Sequence, residues 1–479
     1  MILVLDVGTT ALKGALFDED GTPLEVGQGS LTLLSSTTSA IHHETDAWDW
    51  VRGIRDLCAE FDLSRKKKPS AVVVSGNGPT LVPVGNDDRP LHPALLWMDR
   101  RCIEEAAAVS EMNGYYVDPT FYLPKALWFH RHTPEIYEKT KFFFSCSEYV
   151  DYLLTGNAVT IFPTEDYARF FWTEDSVSKL GMDWEKFPSS VGLGTHVGDT
   201  TAAAQEILGV PTGVPVYAGG PDFIVSIIGT GTVEAGRACD RAGTSEGINL
   251  CTDQKISDPR LLCVRHVIDG YLNVSGMVST SGKALQWFKE ITGNVDAPFS
   301  KLIQDIQTVP AGSNKLIFLP YLAGERAPIW DPNARGAFVG LTMNHGRREM
   351  TRAVVESVGF AIRDIVTVME EVGLHVDDVR ITGGQARSDA WIQIKADITG
   401  KRFLLPVMKD AELGGGLCIA LFGLGRSGSL AEAAEMAVQI EKVFEPNREN
   451  ERTYDDLFAI YRESYLGLKG PFARIGGMD

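Results

Sequence analysis

Several short segments of the chain combine residue types suited to phosphate chemistry. In Asp6-Val-Gly-Thr-Thr10, an acid at the end of an apolar run can hold Mg²⁺ directly or through water. Gly8 lets backbone N–H groups approach an anion, Thr9 and Thr10 add hydroxyl donors, and Lys13 adds a compact positive charge. The same pentapeptide also suits a plain tight β-turn. Gly243-Thr244-Ser245-Glu-Gly247 repeats the small, donor-rich character, and two such turns can grip a polyphosphate from both sides. Gly383-Gly384-Gln-Ala-Arg-Ser388 leads into a helical pattern, with Ser388 placed as its N-cap and the helix start offering free N–H groups. Gly414-Gly-Gly416 reads as a fourth glycine turn before an apolar helix. Asp222 closes a Gly-Gly-Pro-Asp turn after a buried strand, where a carboxylate can take a hydroxyl proton during phosphoryl transfer. An Asx turn that stabilises the loop is the other reading of Asp222.

These residues need elements to hold them. Ile2 to Val7 and Leu12 to Phe17 are apolar runs that flank the first turn, which predicts a hairpin with no helix after it. Ala71 to Val74 and Val214 to Ala218 read as buried strands that deliver polar residues at their carboxyl ends. A comparable layout restarts near residue 240. There, Arg241 to Ser245 precedes an apolar stretch to Cys251, and Leu261–Ile268 and Leu272–Val278 flank an Asp269-Gly270 turn. Helical patterns follow at 284–291 and 349–371, then a strand at 379–382. Two α/β domains of similar plan are expected, 1–238 and 239–479, with the last helices able to return to the first domain.

The 479 residues carry 45 Lys and Arg against 63 Asp and Glu, a net charge of −18. An anionic surface of this kind argues against nucleic acid or an anionic membrane as a broad-surface partner. Apolar content of 44% and a mean hydropathy of −0.04 fit a globular chain. No apolar run approaches the ~18 residues of a membrane span, and Asp6 ends the apolar Met1–Leu5 run with no cationic leader or cleavage site following, so a cytoplasmic protein is expected. Seven cysteines without a C-x-x-C pair fit reduced, mostly buried thiols. The basic run Arg65 to Lys68 reads as a solvated turn, and His42-His43 lacks metal-ligand spacing.

Two further segments are specific. Gly336-Ala-Phe-Val-Gly340-Leu341 is followed, after seven residues, by Glu349-Met350 and then Ala353-Val-Val-Glu356; Pro124-Lys125-Ala-Leu-Trp128 is the other. With the turns above, the chain resembles the FGGY carbohydrate kinases, most closely the xylulose-kinase-like branch, from Asp6 to Gly416. The resemblance implies two ribonuclease-H-like (actin-like ATPase) domains, α/β in class, with ATP and Mg²⁺ in a cleft between them. It implies Asp6 and Asp222 on the metal side, Gly8, Thr9, Thr10, Lys13, Thr244 and Ser245 on phosphate, and Gly282, Gln286, Gly383, Gly384 and Ser388 on the nucleoside. Asp222 would be the catalytic base. On the sugar side Asn77, Trp97, Asp99 and Tyr167 fall at the matching places. Phe223 stands where relatives carry Asn or Gln, and the loop after Ser75-Gly76 is shortened. The activity implied is phosphorylation of a primary hydroxyl of a small ketose or polyol by a cytoplasmic kinase, often paired as a homodimer. A nucleotide-binding regulator and an actin-like ATPase without a sugar acceptor are the rival readings.

Overall fold

The computed structural model describes residues 1–35, 41–66 and 68–478. Their contacts divide the chain into two units: Met1–Gly229 with Glu412–Ala437, and Thr230–Ala411 with Val438–Asp479. The expected boundary at 238/239 is displaced because the strand that begins at Arg237 pairs only with strands of the second unit. The segment that returns to the first unit is Glu412–Ala437, whereas the last helix, Arg448–Gly476, stays with the second.

The first unit is built on a six-stranded sheet: β1 (Ile2–Val7), β2 (Ala11–Phe17), β3 (Pro23–Ser30), β4 (Ala71–Gly76), β5 (His196–Asp199) and β6 (Pro215–Pro221). Their order is β5-β6-β4-β1-β2-β3. Every residue of β1 and of β4 is buried, as a central sheet covered on both faces requires. β1, β4 and β6 run parallel, and β1-β2-β3 is an antiparallel meander that begins with the expected hairpin. Helices α1 (Ala47–Glu60), α2 (Tyr122–His132) and α3 (Cys146–Thr155) belong to this unit. α1 starts where Asp46 accepts from Trp48 N–H, and it buries Trp50, Ile54 and Leu57 on one face. α4 (Asp222–Gly229) follows directly on β6.

The second unit repeats this plan. The strands of its main sheet are β7 (Arg237–Ala242), β8 (Glu246–Thr252), β9 (Leu262–Arg265), β10 (Leu272–Val278), β11 (Asp378–Thr382), β12 (Arg402–Pro406) and β13 (Ile440–Phe444). Their order is β13-β12-β11-β7-β8-β10-β9. β7, β11 and β12 run parallel, and β7-β8-β10 is an antiparallel meander, so each of the first unit's six strands has a counterpart at the same place. This duplication is hidden at the level of residue identity and plain at the level of topology. Helices α5 (Gly282–Ile291), α6 (Arg347–Glu371) and α7 (Asp389–Thr399) flank the sheet. α6 alone buries seventeen of its residues and forms the spine of that core.

Gly414-Gly-Gly416 is not a turn: it lies inside α8 (Ala411–Gly423). A Cβ on Gly415 would sit 1.9 Å from the Val225 carbonyl oxygen, and one on Gly416 would sit 2.2 Å from the Val4 side chain. These glycines therefore let a helix lie directly on β1 and α4. All seven cysteines are free, and six are buried, as expected of structural thiols. Of the basic run, Lys66 pairs with Glu25 and Arg65 is mostly exposed beside Asp62; Lys67 lies outside the described residues. Among the described residues no helix is long and apolar enough to cross a membrane.

Asp151 on α3 is fully buried, and neither carboxylate oxygen has a hydrogen-bond partner among the described residues. Burial, then the nearby Glu148, raises its pKa well above the ordinary carboxylate range. A raised acid costs stability as pH climbs above its unfolded value. Asp151→Leu should therefore raise Tm by several degrees at pH 8, given about 2–4 °C per kcal/mol in a domain of this size. The gain should shrink towards pH 4.5. Differential scanning calorimetry checks this; an equal or lower Tm at both pH values would refute it.

Candidate active site

In the first unit the chemistry gathers at the carboxyl ends of the parallel strands β1, β4 and β6. Asp6 is the penultimate residue of β1, with Lys13 directly opposite on β2 and Ser75 opposite on β4. Ser75 Oγ donates to Asp6 Oδ1 at 2.7 Å. Pro221 pairs with Gly76, so Asp222 leaves β6 beside the same strand ends. Open parallel sheets place ligands at such ends because the following loops diverge there.

Asp222 does not close a turn. β6 runs through Gly219 and Gly220 with a register shift and hands over directly to α4, whose first residue is Asp222. Its Oδ1 accepts from Phe223 N–H at 2.6 Å, and the first helical turn favours its negative charge.

Asp6 is 3% exposed, and its pKa is pushed up to about 8. Burial is the main cause. Glu412 adds repulsion, Lys13 opposes, and Asp222 repels again. Glu412 and Asp222 thus both act on the Asp6 carboxylate, with Lys13 as the opposing charge. The Cys146 thiol is raised by burial and then by the Asp222 and Asp6 charges. Cys146 Sγ donates to Asn77 O at 3.0 Å. Sequence reasoning missed Glu412, Ser75 and Cys146. The Glu412-Leu-Gly-Gly-Gly run carries a signal, but its glycines suggest a turn, whereas the structure makes it a helix packed on β1.

The Gly8–Thr10 turn is braced from both sides. Asn77 Nδ2 donates to Val7 O at 2.9 Å and to Gly8 O at 3.1 Å, and Thr80 Oγ donates to Asn77 Oδ1. Trp97 Nε1 donates to Thr9 Oγ at 2.9 Å while its ring remains 41% exposed. Trp97 itself follows a segment anchored by Lys125, a fully buried lysine on α2. Lys125 Nζ donates to Pro79 O at 2.6 Å and Leu96 O at 2.8 Å. Burial pulls its pKa down to about 7. Asp99 is fully buried and accepts from His43 N–H, Arg101 N–H, Arg101 Nε and Arg101 Nη2. Burial would raise the Asp99 carboxyl, but these hydrogen bonds and the Arg101 charge outweigh it and hold the pKa below its ordinary value. Asn77 and Asp99, expected on substrate, are therefore committed inside the protein as props of the turn and of Arg101. Tyr167 and Phe223 do come together: their rings stack with centroids 6.1 Å apart at 22°, forming an aromatic wall next to Asp222.

In the second unit the Gly243, Gly282 and Gly383 segments come together by backbone contact. Gly282 N–H donates to Gly243 O at 3.1 Å, and Ser281 and Lys283 N–H donate to Thr244 O at 3.1 and 3.2 Å. A Cβ on Gly282 would lie 2.7 Å from Gly243 O; one on Gly383, at φ 89°, would lie 2.7 Å from Ala242 O. Glycine at both places is what allows the segments to touch. Thr244 and Gly384 are exposed, and Ser245 is half-buried. Ser388 caps α7 by accepting from Trp391 N–H, as expected. Gln286, one turn into α5, donates to Glu290 at 2.6 Å.

Comparison with known proteins adds to this geometry. Residues 1–229 match the model for the N-terminal domain of the FGGY family of carbohydrate kinases, and residues 241–424 match the model for its C-terminal domain. The chain is 28% identical to a xylulose kinase of Staphylococcus epidermidis, across 98% of this chain and 97% of that one. It is 25% identical to a gluconokinase of Bacillus licheniformis, across 99% and 97%. Among solved structures, a ligand-bound xylulose kinase from Lactobacillus acidophilus superposes with a TM-score of 0.84 at 26% identity, over 99% of this chain and 100% of that one. A gluconate kinase from the same organism gives 0.83 at 27%, over 99% of each.

Proposed function

The chain belongs to the FGGY family of carbohydrate kinases, and on that premise we propose that it moves the terminal phosphoryl group of Mg-ATP to a primary hydroxyl of a small ketose or polyol, of xylulose type, with Asp222 as general base. Sugar kinase activity is common to the xylulose kinases and gluconokinases it resembles. The observation that carries the finer reading is the meeting of Asp6, Lys13 and Ser75 in register at the strand ends where Asp222 leaves β6.

In this reading Asp222 accepts the proton of the attacking hydroxyl as the new P–O bond forms. The Phe223 N–H fixes the orientation of its carboxylate. Lys13, the Thr9 and Thr10 hydroxyls and the turn's N–H groups offset charge on the transferring phosphoryl. Trp97, Tyr167 and Phe223 line the acceptor side, where stacked rings can hold the apolar face of a sugar. Thr244 and Ser245, with Gly282, Gln286, Gly383, Gly384 and Ser388, serve the nucleotide.

Mg²⁺ fits the first unit's residues. Asp6, crowded by Asp222 and Glu412 and raised to about 8, is a carboxylate whose ionised form a divalent cation would favour. Magnesium commonly uses one or two carboxylates plus the nucleotide's own phosphates, so no all-protein cage is needed. When bound it supplies charge neutralisation on the phosphate oxygens.

ADP release across pentuloses, hexuloses, pentitols, tritols and gluconate tests the reading. A ketose or polyol should raise ADP release by at least tenfold over the acceptor-free rate, the low end of what acceptor positioning supplies. Equal release with and without every acceptor would point to an ATPase. Nucleotide binding without turnover would point to the regulator.

A further inference from the structure

Beneath the Gly243, Gly282 and Gly383 segments of the second unit lies a cluster of five buried polar side chains from five separate stretches of the chain. Asp240 belongs to β7 and Glu246 is the first residue of β8. Ser281 precedes α5, Gln385 follows Gly383-Gly384, and Lys395 lies on α7. Asp240, Ser281 and Lys395 are fully buried, and Glu246 and Gln385 nearly so. Lys395 Nζ donates to Glu246 Oε1 at 2.5 Å and to Asp240 Oδ2 at 2.8 Å. The other oxygen of Glu246 accepts from Ser281 Oγ, and from Gln385 Nε2 at 3.0 Å. Gln385 Nε2 also reaches Ser281 Oγ at 2.7 Å and Gly243 O at 3.4 Å.

Glu246 is therefore the hub. Burial alone would raise it, but Lys395 and the donors around it outweigh that and keep it ionised. Asp240 is driven the other way, by burial and then by the Glu246 charge. An ion pair taken wholly out of water is weak evidence for stability, since apolar residues of the same volume often do as well. What this one has that a hydrophobic substitute lacks is direction, because each hydrogen bond ends on a segment adjoining a nucleotide turn.

We propose that the Asp240–Lys395–Glu246–Ser281–Gln385 cluster is a positioning device that holds the Gly243, Gly282 and Gly383 turns in the arrangement nucleotide binding needs. The inference rests on the nucleotide reading given above. None of the five side chains need touch the ligand; they act through the backbone of the residues that do.

The test uses the full chain, with Mg-ADP titrated calorimetrically and with steady-state kinetics. Ser281→Ala and Gln385→Leu should each weaken Mg-ADP binding and raise the KM for ATP by roughly tenfold, because small misplacements are costly in a pre-arranged site. The KM for the acceptor should stay within about twofold. A purely structural cluster would lower Tm and leave the constants of the folded enzyme unchanged. Lys395→Met strands the Glu246 charge and should lower Tm most. Adding Glu246→Gln should restore Tm without restoring nucleotide affinity, since a neutral acceptor holds Ser281 and Gln385 less firmly. Wild-type Mg-ADP affinity in both Ser281→Ala and Gln385→Leu would overturn the inference, as would joint recovery of Tm and affinity in the double variant. Should Lys395→Met fail to fold, the two mild variants decide. If the wild-type protein binds no Mg-ADP, the nucleotide reading falls and this inference with it.

Discussion

Asp222→Asn should lower turnover by about 10² or more while leaving Mg-ATP affinity within a few-fold, the usual scale for a lost general base. The substitution is nearly isosteric, and the Asn carbonyl can still accept from Phe223 N–H, so the start of α4 should keep its geometry. What disappears is the ability to take a proton and one negative charge near Asp6. Losing that charge eases the crowding of acids around Asp6. Any change in Mg-ATP binding should therefore be small, and the loss should fall on kcat rather than on nucleotide affinity. The measurement is kcat with the best acceptor from the panel, beside a titration with Mg-ADP. Unchanged turnover would sink the assignment of the base, while lost binding with lost folding would show Asp222 to be a structural cap.

The turns proposed for phosphate were legible as turns because each is local. Asp6 to Lys13 sits on a hairpin whose strands are announced by unbroken apolar runs, and Ser388 lies one residue before a periodic helical pattern. β7 was missed because Arg237, Asp240 and Arg241 interrupt its hydrophobicity. Asp240 is tolerated there only because Lys395, 155 positions later, meets it in the core. The internal partners of Asn77 and Asp99 were illegible for a similar reason. A polar residue near a strand end reads as available until its partners are known, and for Asp99 these include His43, 56 positions earlier in the chain. The returning segment Glu412–Ala437 shows a further limit. Three consecutive glycines signal a turn by propensity, but close packing of α8 on Val4 and Val225 overrides that preference. The aromatic pair Tyr167 and Phe223 was legible residue by residue, whereas their stacking was not.

Asp6→Asn should make the protein more stable and much less active. Asp6 is buried among like charges, and its folded-state pKa is about 8 against an ordinary 3.8. A carboxyl raised in this way contributes stability that is fully present below the unfolded pKa and is lost as pH rises through the folded one. The wild-type protein should therefore lose stability between about pH 4 and pH 8, at up to about 1.4 kcal/mol per pH unit from this group alone. Asparagine keeps an acceptor for Ser75 Oγ and carries no charge to bury. The variant should match the wild type near pH 4 and exceed its Tm by several degrees near pH 8, with a flatter profile between. The same charge is what the proposed metal role requires, so turnover should fall by roughly 10² or more and the Mg²⁺ concentration for half-maximal rate should rise. Thermal unfolding across pH and magnesium titrations of the rate test the two halves separately. A variant no more stable than wild type at pH 8 would refute the electrostatic account of Asp6, and one with wild-type activity would remove Asp6 from the phosphate chemistry. Natural sites keep such strained groups where function needs them, and a gain in stability bought with activity is the signature that distinguishes such a group from an ordinary core carboxylate.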